Sequence, residues 1–159
     1  MISLAYAACR SSYDGLVPEP KDLLFKFVTG FHRAVYDLSH GKLAGTTMGM
    51  PVLKLTTVGR KSGERRTTML TSPLVEGDDM ILVASFGGDD RHPAWYLNLV
   101  ADPDVEVEIE GSKRLMRARV AEDAERARLW DALTAEHDNY AGYQRKTDRE
   151  IPVVVLSPR

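Results

Sequence analysis

Apolar residues at Leu23, Leu24, Phe27, Val28, Phe31, Ala34, Val35 and Leu38 recur at three- and four-residue spacing. That period predicts an amphipathic helix over 21–40, entered after Pro18-Glu19-Pro20 and stopped at Gly41. Beyond it the pattern changes. Val52 to Val58 reads as a strand ending at Gly59, followed by the turn Gly59-Arg60-Lys61-Ser62-Gly63. Arg66 to Val75 and Met80 to Ser85 form two extended runs around Glu76-Gly77-Asp78-Asp79, a hairpin pattern. After the loop Gly87-Gly88-Asp89-Asp90, Pro93 to Val100 predicts a short helix with Pro93 in its first turn. Val105 to Ile109 alternates Val, Glu, Val, Glu, Ile, the signature of a strand buried on one face. Leu115 to Val120 is its expected partner across Gly111-Ser112. Asp123 is placed to cap a helix running to about His137, and Val153 to Leu156 supplies a last strand.

The order is helix, several antiparallel strands, helix, strand. Strands and helices do not alternate, and no G-x-G-x-x-G follows a strand, so a Rossmann-type sheet is not expected. The pattern predicts a mainly β (α+β) antiparallel barrel with peripheral helices. No repeat or Gly/Ser linker divides the chain, so one domain is expected over 21–159, preceded by an extension over 1–20. Tyr6-Ala7-Ala8-Cys9 is faintly similar to a lipoprotein cleavage site, but no basic start precedes it. Nothing approaches the ~20 apolar residues of a membrane span, and a cytoplasmic location is the default.

Composition narrows the chemistry. With 159 residues, 43% hydrophobic and 28% charged, the chain has the makeup of a globular protein with a real core. A formal charge of −2 speaks against a general nucleic-acid binder. Its single cysteine, Cys9, excludes an internal disulfide and a thiolate cluster. His32, His40, His92 and His137 show no zinc spacing, so no metal is expected. A G-x-S-x-G elbow is absent too.

Three clusters remain. Arg60, Lys61, Arg65 and Arg66 lie among Gly59, Ser62 and Gly63. Glycines let backbone N–H groups converge on an anion, and arginine adds a planar fork for phosphate or carboxylate. A solvated hairpin turn is the commoner fate of such a run. Ser85-Phe86-Gly87-Gly88 with His92-Pro93-Ala94-Trp95-Tyr96 suits the floor and wall of a flat pocket, since glycine permits close backbone approach. A core tryptophan beside a plain turn explains the same residues equally well. His137, Tyr140, Tyr143 and Lys146 recur every three residues, near one face of a helical or 3₁₀ segment. A tyrosine hydroxyl with an ordinary pKa of ~10 can donate to a carbonyl or nitro oxygen at neutral pH. Aromatics at this spacing more often close a core. An anion grip and an aromatic wall without metal, thiol or triad imply a borrowed cofactor for any redox work.

In order, Leu55-Thr56-Thr57-Val58-Gly59-Arg60-Lys61-Ser62-Gly63-Glu64-Arg65-Arg66, Val83-Ala84-Ser85-Phe86-Gly87-Gly88, His92-Pro93-Ala94-Trp95-Tyr96-Leu97-Asn98-Leu99 with Ala101-Asp102-Pro103, and Tyr140 through Pro152 resemble the deazaflavin-dependent nitroreductase family. The resemblance runs from about residue 50 to the end. It implies a split β-barrel of the flavin-binding type holding reduced coenzyme F420. It also implies hydride transfer to a quinone or a related activated enone or nitro acceptor. By the resemblance, Arg60, Lys61, Ser62 and Arg66 hold the phosphate and glutamyl tail. Thr67, Thr68, Met69, Leu70, Ala84, Ser85, Phe86, Ala94, Trp95 and Tyr140 surround the deazaflavin. Ser85, Tyr140 and Tyr143 place the acceptor or assist protonation. His137, Phe86 and Lys146 depart from the residues of some members, and all three border the acceptor side. Some members approach membrane quinones through the N-terminal region, where this chain has Phe25, Phe27 and Phe31. The alternatives are an FMN-dependent reductase on the same barrel and a non-catalytic carrier of a cofactor or hydrophobic ligand.

Overall fold

The computed structural model describes residues 46–47 and 49–159; the predicted helix 21–40 and the extension 1–20 lie outside them. The described strands are β1 (Thr46–Thr47), β2 (Met50–Val58), β3 (Arg65–Thr71), β4 (Leu74–Glu76), β5 (Asp79–Val83), β6 (Asp104–Ile109), β7 (Ser112–Val120) and β8 (Val153–Pro158). They form one sheet in the order β1-β2-β6-β7-β8-β5-β4, with β3 paired to β2. Every pairing among the described residues is antiparallel. The helices are α1 (Ala94–Ala101), α2 (Asp123–Glu136) and α3 (Asn139–Gln144), with a 3₁₀ turn at Phe86–Gly88.

β3, paired to β2 near one end of this path, and β4, at its other end, follow one another in the chain, so the sheet curls into a split barrel. Here the single extended run expected over Arg66 to Val75 is corrected, because it breaks at Ser72-Pro73. Pro73 has no N–H to give a ladder. Ser72, fully buried, joins the parts: its N–H donates to Pro51 O at 2.9 Å. Its hydroxyl lies 2.9 Å from Leu74 O and 3.0 Å from Ile81 O. The Glu76–Asp79 hairpin stands as expected, with only β4 and β5 as its arms.

Two adjoining cores explain two sequence patterns. Leu53, Leu55, Leu82, Val105, Val107, Met116, Val154 and Leu156 fill the barrel interior with Trp95 and Leu99 from α1. Ile81, Val153 and Val155 face the other way, onto Leu129 and Leu133 of α2 and Tyr140 of α3. β8 is covered on both faces and therefore reads as continuous Val-Val-Val-Leu, whereas β6 presents Glu106 and Glu108 outward and alternates. Each fully buried aliphatic side chain contributes about 1.5–3 kcal/mol. Asp123 is the first residue of α2 rather than its cap; Glu122 holds the capping position, and no side chain caps that end. Likewise Pro93 precedes α1 as its N-cap instead of opening its first turn.

Candidate functional site

The strand β2 runs out at Val58 into a tight turn. Ser62 N–H and Gly63 N–H both donate to Gly59 O, at 3.1 and 2.7 Å, and Gly59 N–H donates to Glu64 O at 2.7 Å. Two glycines are required here for different reasons. A Cβ on Gly59 would sit 2.8 Å from Ser62 Oγ and 3.2 Å from Glu64 O, while Gly63 adopts φ +69°. The turn throws Arg60, Lys61 and Ser62 outward, exposed, beside Arg65 and Arg66 on β3.

One buried side chain fixes this turn to α1. Asn98 Oδ1 accepts from Arg60 N–H at 3.2 Å and from Arg60 Nη1 at 3.3 Å. Its Nδ2 donates to Thr57 Oγ1 at 3.2 Å, and that hydroxyl in turn donates to Arg66 O at 3.5 Å. A buried amide is stable only with its donors and acceptors paired, and this one is paired to the turn at Arg60 and to β2 at Thr57, whose hydroxyl passes the link on to β3 at Arg66. Neither Asn98 nor Thr57 stood among the site residues expected from the sequence. The available signal was an amide within the apolar helix Ala-Trp-Tyr-Leu-Asn-Leu-Val-Ala, where a lone buried polar group needs an explanation.

Between turn and helix lies a cavity of about 580 Å³, lined on one side by Arg60, Lys61, Ser62, Arg65 and Arg66 and on the other by Ala94, Trp95 and Asn98, with Thr67 and Thr68 of β3 below. The structure thus brings together eight of the expected cofactor residues, Arg60, Lys61, Ser62, Arg66, Thr67, Thr68, Ala94 and Trp95; Met69 and Leu70 sit further along β3, Leu70 against the barrel core. Two of the cations carry ion pairs: Arg66 with Glu64 at 2.6 Å and Arg65 with Glu106 at 3.1 Å. Lys113 also reaches Glu106, at 3.3 Å, and the two cations outweigh burial in holding that carboxyl below its ordinary range.

Ala84, Ser85, Phe86, Tyr140 and Tyr143 form a second group, which does not line this cavity. Ser85 and Ala84 are buried at the end of β5. Phe86, Gly87 and Gly88 follow with φ of 49°, 69° and 85°, a left-handed run that costs about 1–2 kcal/mol at the phenylalanine. Gly88 is packed so closely that a Cβ there would lie 2.7 Å from Tyr143 O and 2.9 Å from Lys146 Cβ. The tyrosine helix α3 therefore touches the Ser85 loop. Along it and its two flanks the expected row is real: His137 and Tyr140 rings are 6.4 Å apart, Tyr140 and Tyr143 are 6.0 Å apart, all edge-on, and Lys146 Nζ lies 5.4 Å from the Tyr143 ring.

The two tyrosines differ in setting. Tyr140 is buried, with its hydroxyl 3.8 Å from Met50 Sδ. Burial pushes that hydroxyl above its ordinary pKa, against a hydrogen bond from Thr71 that lowers it. Tyr143 is only partly buried. Beyond them, His92 is held below its ordinary pKa by burial and by the nearby Arg149 guanidinium, and burial raises Tyr96.

Comparison with known proteins agrees with this geometry. The family model described as F420H(2)-dependent quinone reductase matches residues 29–158. An F420H(2)-dependent quinone reductase of Mycobacterium tuberculosis is 43% identical over 133 residues, covering 80% of this chain and 88% of that protein. Among solved structures, an F420-H2 dependent reductase superposes with a TM-score of 0.60 at 39% identity, covering 67% of this chain and 94% of its own. A structure described as a domain-swapped dimer gives 0.62 at 34% identity, covering 87% of this chain and 100% of its own. The architecture is that of the split-barrel reductases, and the chain belongs to the F420H(2)-dependent quinone reductase family.

Proposed function

We propose that this chain binds reduced coenzyme F420 with its acidic tail at Arg60, Lys61, Ser62 and Arg66 and its ring toward Ala94 and Trp95, and delivers hydride to a quinone. The observation that carries the reading is the cavity in which four cations meet a buried tryptophan. Its chemistry fits the group: exposed guanidinium and ammonium groups suit a phosphate and glutamyl carboxylates, and the Ala94–Trp95 wall suits a flat ring. When bound, the coenzyme supplies the hydride, and the protein's part is placement and electrostatics.

Asn98 presets the turn before binding, so less ordering is lost on association. Thr67 and Thr68 offer hydroxyls along the floor. On the acceptor side, Ser85, Tyr140 and Tyr143 are the proposed residues. Tyr143, less buried than Tyr140, is the one fitted to donate a hydrogen bond to the acceptor oxygen and to exclude water from its face. Tyr140, turned toward Met50, supports it edge-on. Related enone and nitro compounds present a similar electron-poor oxygen and extend the acceptor class. A quinone dissolved in a bilayer would be met through the segment bearing Phe25, Phe27 and Phe31, which vesicle flotation tests.

The deciding experiment titrates the purified protein with coenzyme F420 and then mixes the reduced complex with menadione. Binding followed by oxidation of the coenzyme is expected. Binding without oxidation by any quinone, enone or nitro compound would point to a carrier, and preference for FMN would contradict the coenzyme assignment.

A further inference from the structure

Arg149 occupies an unusual place for a guanidinium. It is partly buried, and four of its N–H bonds are used inward. Nε donates to Asp89 O at 2.9 Å; Nη2 donates to Ala84 O at 3.1 Å and Ser85 O at 2.9 Å; Nη1 donates to His92 Nδ1 at 3.4 Å. Burial lowers its pKa, opposed by the Asp89 and Asp90 carboxylates. Three of its partners are therefore main-chain carbonyls that bracket the left-handed run Phe86-Gly87-Gly88 on both sides.

The main chain of the same residue is tied to the tyrosine helix. Gln144, the last residue of α3, donates from Nε2 to Arg149 O at 2.8 Å and accepts at Oε1 from Ile151 N–H at 2.9 Å. Thr147 accepts from Arg149 N–H at 3.3 Å, and its hydroxyl donates to Asp90 at 2.7 Å. One residue thus links the two elements that carry Ser85 and Tyr143. A run of left-handed residues, one of them non-glycine, does not hold its shape unaided, and planar donors in fixed geometry can fix several carbonyls at once where an ammonium cannot.

We propose that Arg149 is a positioning residue for the acceptor side: it fixes the Ser85–Gly88 loop against the tyrosine helix and so sets the distance between Ser85 and Tyr143. The proposal rests on the reading that this loop and helix border the acceptor. His92, whose Nδ1 accepts from Arg149, must then carry its proton on Nε2.

The test uses Arg149→Lys and Arg149→Ala in the full chain, with Arg149→Lys as the milder change should the alanine variant fold poorly. In the free protein, hydrogen exchange at the Gly88 amide, bonded to Ser85 O at 3.0 Å, is expected to quicken by about tenfold or more. Turnover with menadione is expected to fall by about 10- to 100-fold while the coenzyme Kd stays within about twofold. Methylguanidine, but not methylamine, is expected to restore part of both signals in Arg149→Ala. Unchanged Gly88 exchange in both variants would overturn the proposal, as would a loosened loop with unchanged kcat. Equal losses of coenzyme affinity and turnover would place Arg149 in the coenzyme grip, and also overturn it. Exchange is read without coenzyme, so a wild type that never oxidises F420H2 would sink the reductase reading on separate data.

Discussion

The basic turn and the Ser85 loop are both glycine-bearing bends that follow a strand, yet they are held in opposite ways. The basic turn points its charges outward. Arg60, Lys61, Ser62 and Arg66 are exposed, and one buried amide, Asn98, anchors the backbone beneath them. The Ser85 loop is covered by α3 and tied from inside by a guanidinium that spends its donors on carbonyls. The first arrangement suits adaptable electrostatic capture of a charged ligand. The second suits rigid placement of a few atoms. The contrast implies that changes in the first region act on binding, and that changes in the second act on turnover and stability.

The sharpest break should come at Tyr143→Phe. Loss of one hydroxyl is expected to lower kcat with menadione about 100-fold, the lower end of what a placed proton donor supplies, with coenzyme Kd unchanged. Stopped-flow mixing of the reduced complex reads both quantities, and full turnover in this variant would remove Tyr143 from the mechanism.

A glycine pair compares the two bends directly. Gly88→Ala places a Cβ against Tyr143 O in a left-handed backbone, whereas Gly63→Ala meets nothing within 4 Å. Urea midpoints are expected to show a loss of about 2–4 kcal/mol at Gly88 and about 1 kcal/mol at Gly63. Equal losses would mean that the loop is no more tightly held than the turn.

Asn98→Leu removes the acceptor of Arg60 N–H and the donor to the Thr57 hydroxyl, which keeps only its bond to Arg66 O. A loss of about 1–3 kcal/mol is expected, together with weaker coenzyme binding and little change in kcat at saturation. If stability falls with affinity intact, Asn98 supports only the fold.

The smallest effect is a pH term at His92. Its folded pKa lies below the ordinary 6.5, from burial and then from Arg149. The folded state therefore takes up its proton less readily than the unfolded chain. The stability from the neutral ring is complete above pH 6.5 and is lost as pH falls through the folded value. Glu76, Glu106 and Glu125 also have lowered pKa values, but their ordinary value of 4.5 places their window lower. Urea midpoints taken between pH 7 and pH 5 should fall in the wild type and fall less in His92→Gln; parallel curves would dismiss the term.

Periodicity made most of the barrel legible. β6 and β8 could be read from alternation and from continuous apolar character, because each pattern reports how many faces are covered. The break at Ser72-Pro73 was harder to see. Its meaning lies in Ser72 bonding to Pro51 and Ile81, both remote from it in the chain, as well as to nearby Leu74. The site divided similarly. Charge and glycine spacing disclosed the basic turn, and three-residue spacing disclosed the tyrosine row. Asn98 and Arg149 escaped because their roles consist of long-range bonds, across |i−j| of 38 to 41 for Asn98 and 57 to 65 for Arg149. Spacing along the chain carries no record of such partners.

The most direct measurement of the central claim is the F420 titration of Arg60→Ala/Lys61→Ala at low and high salt. The account predicts a Kd raised about tenfold, roughly 1.4 kcal/mol, at low salt, with the difference from wild type shrinking at high salt as screening weakens the native grip. Turnover at saturating coenzyme should stay near the wild-type value. Equal affinity in the double variant at both salts would show that the turn is solvated surface and that the coenzyme is held elsewhere.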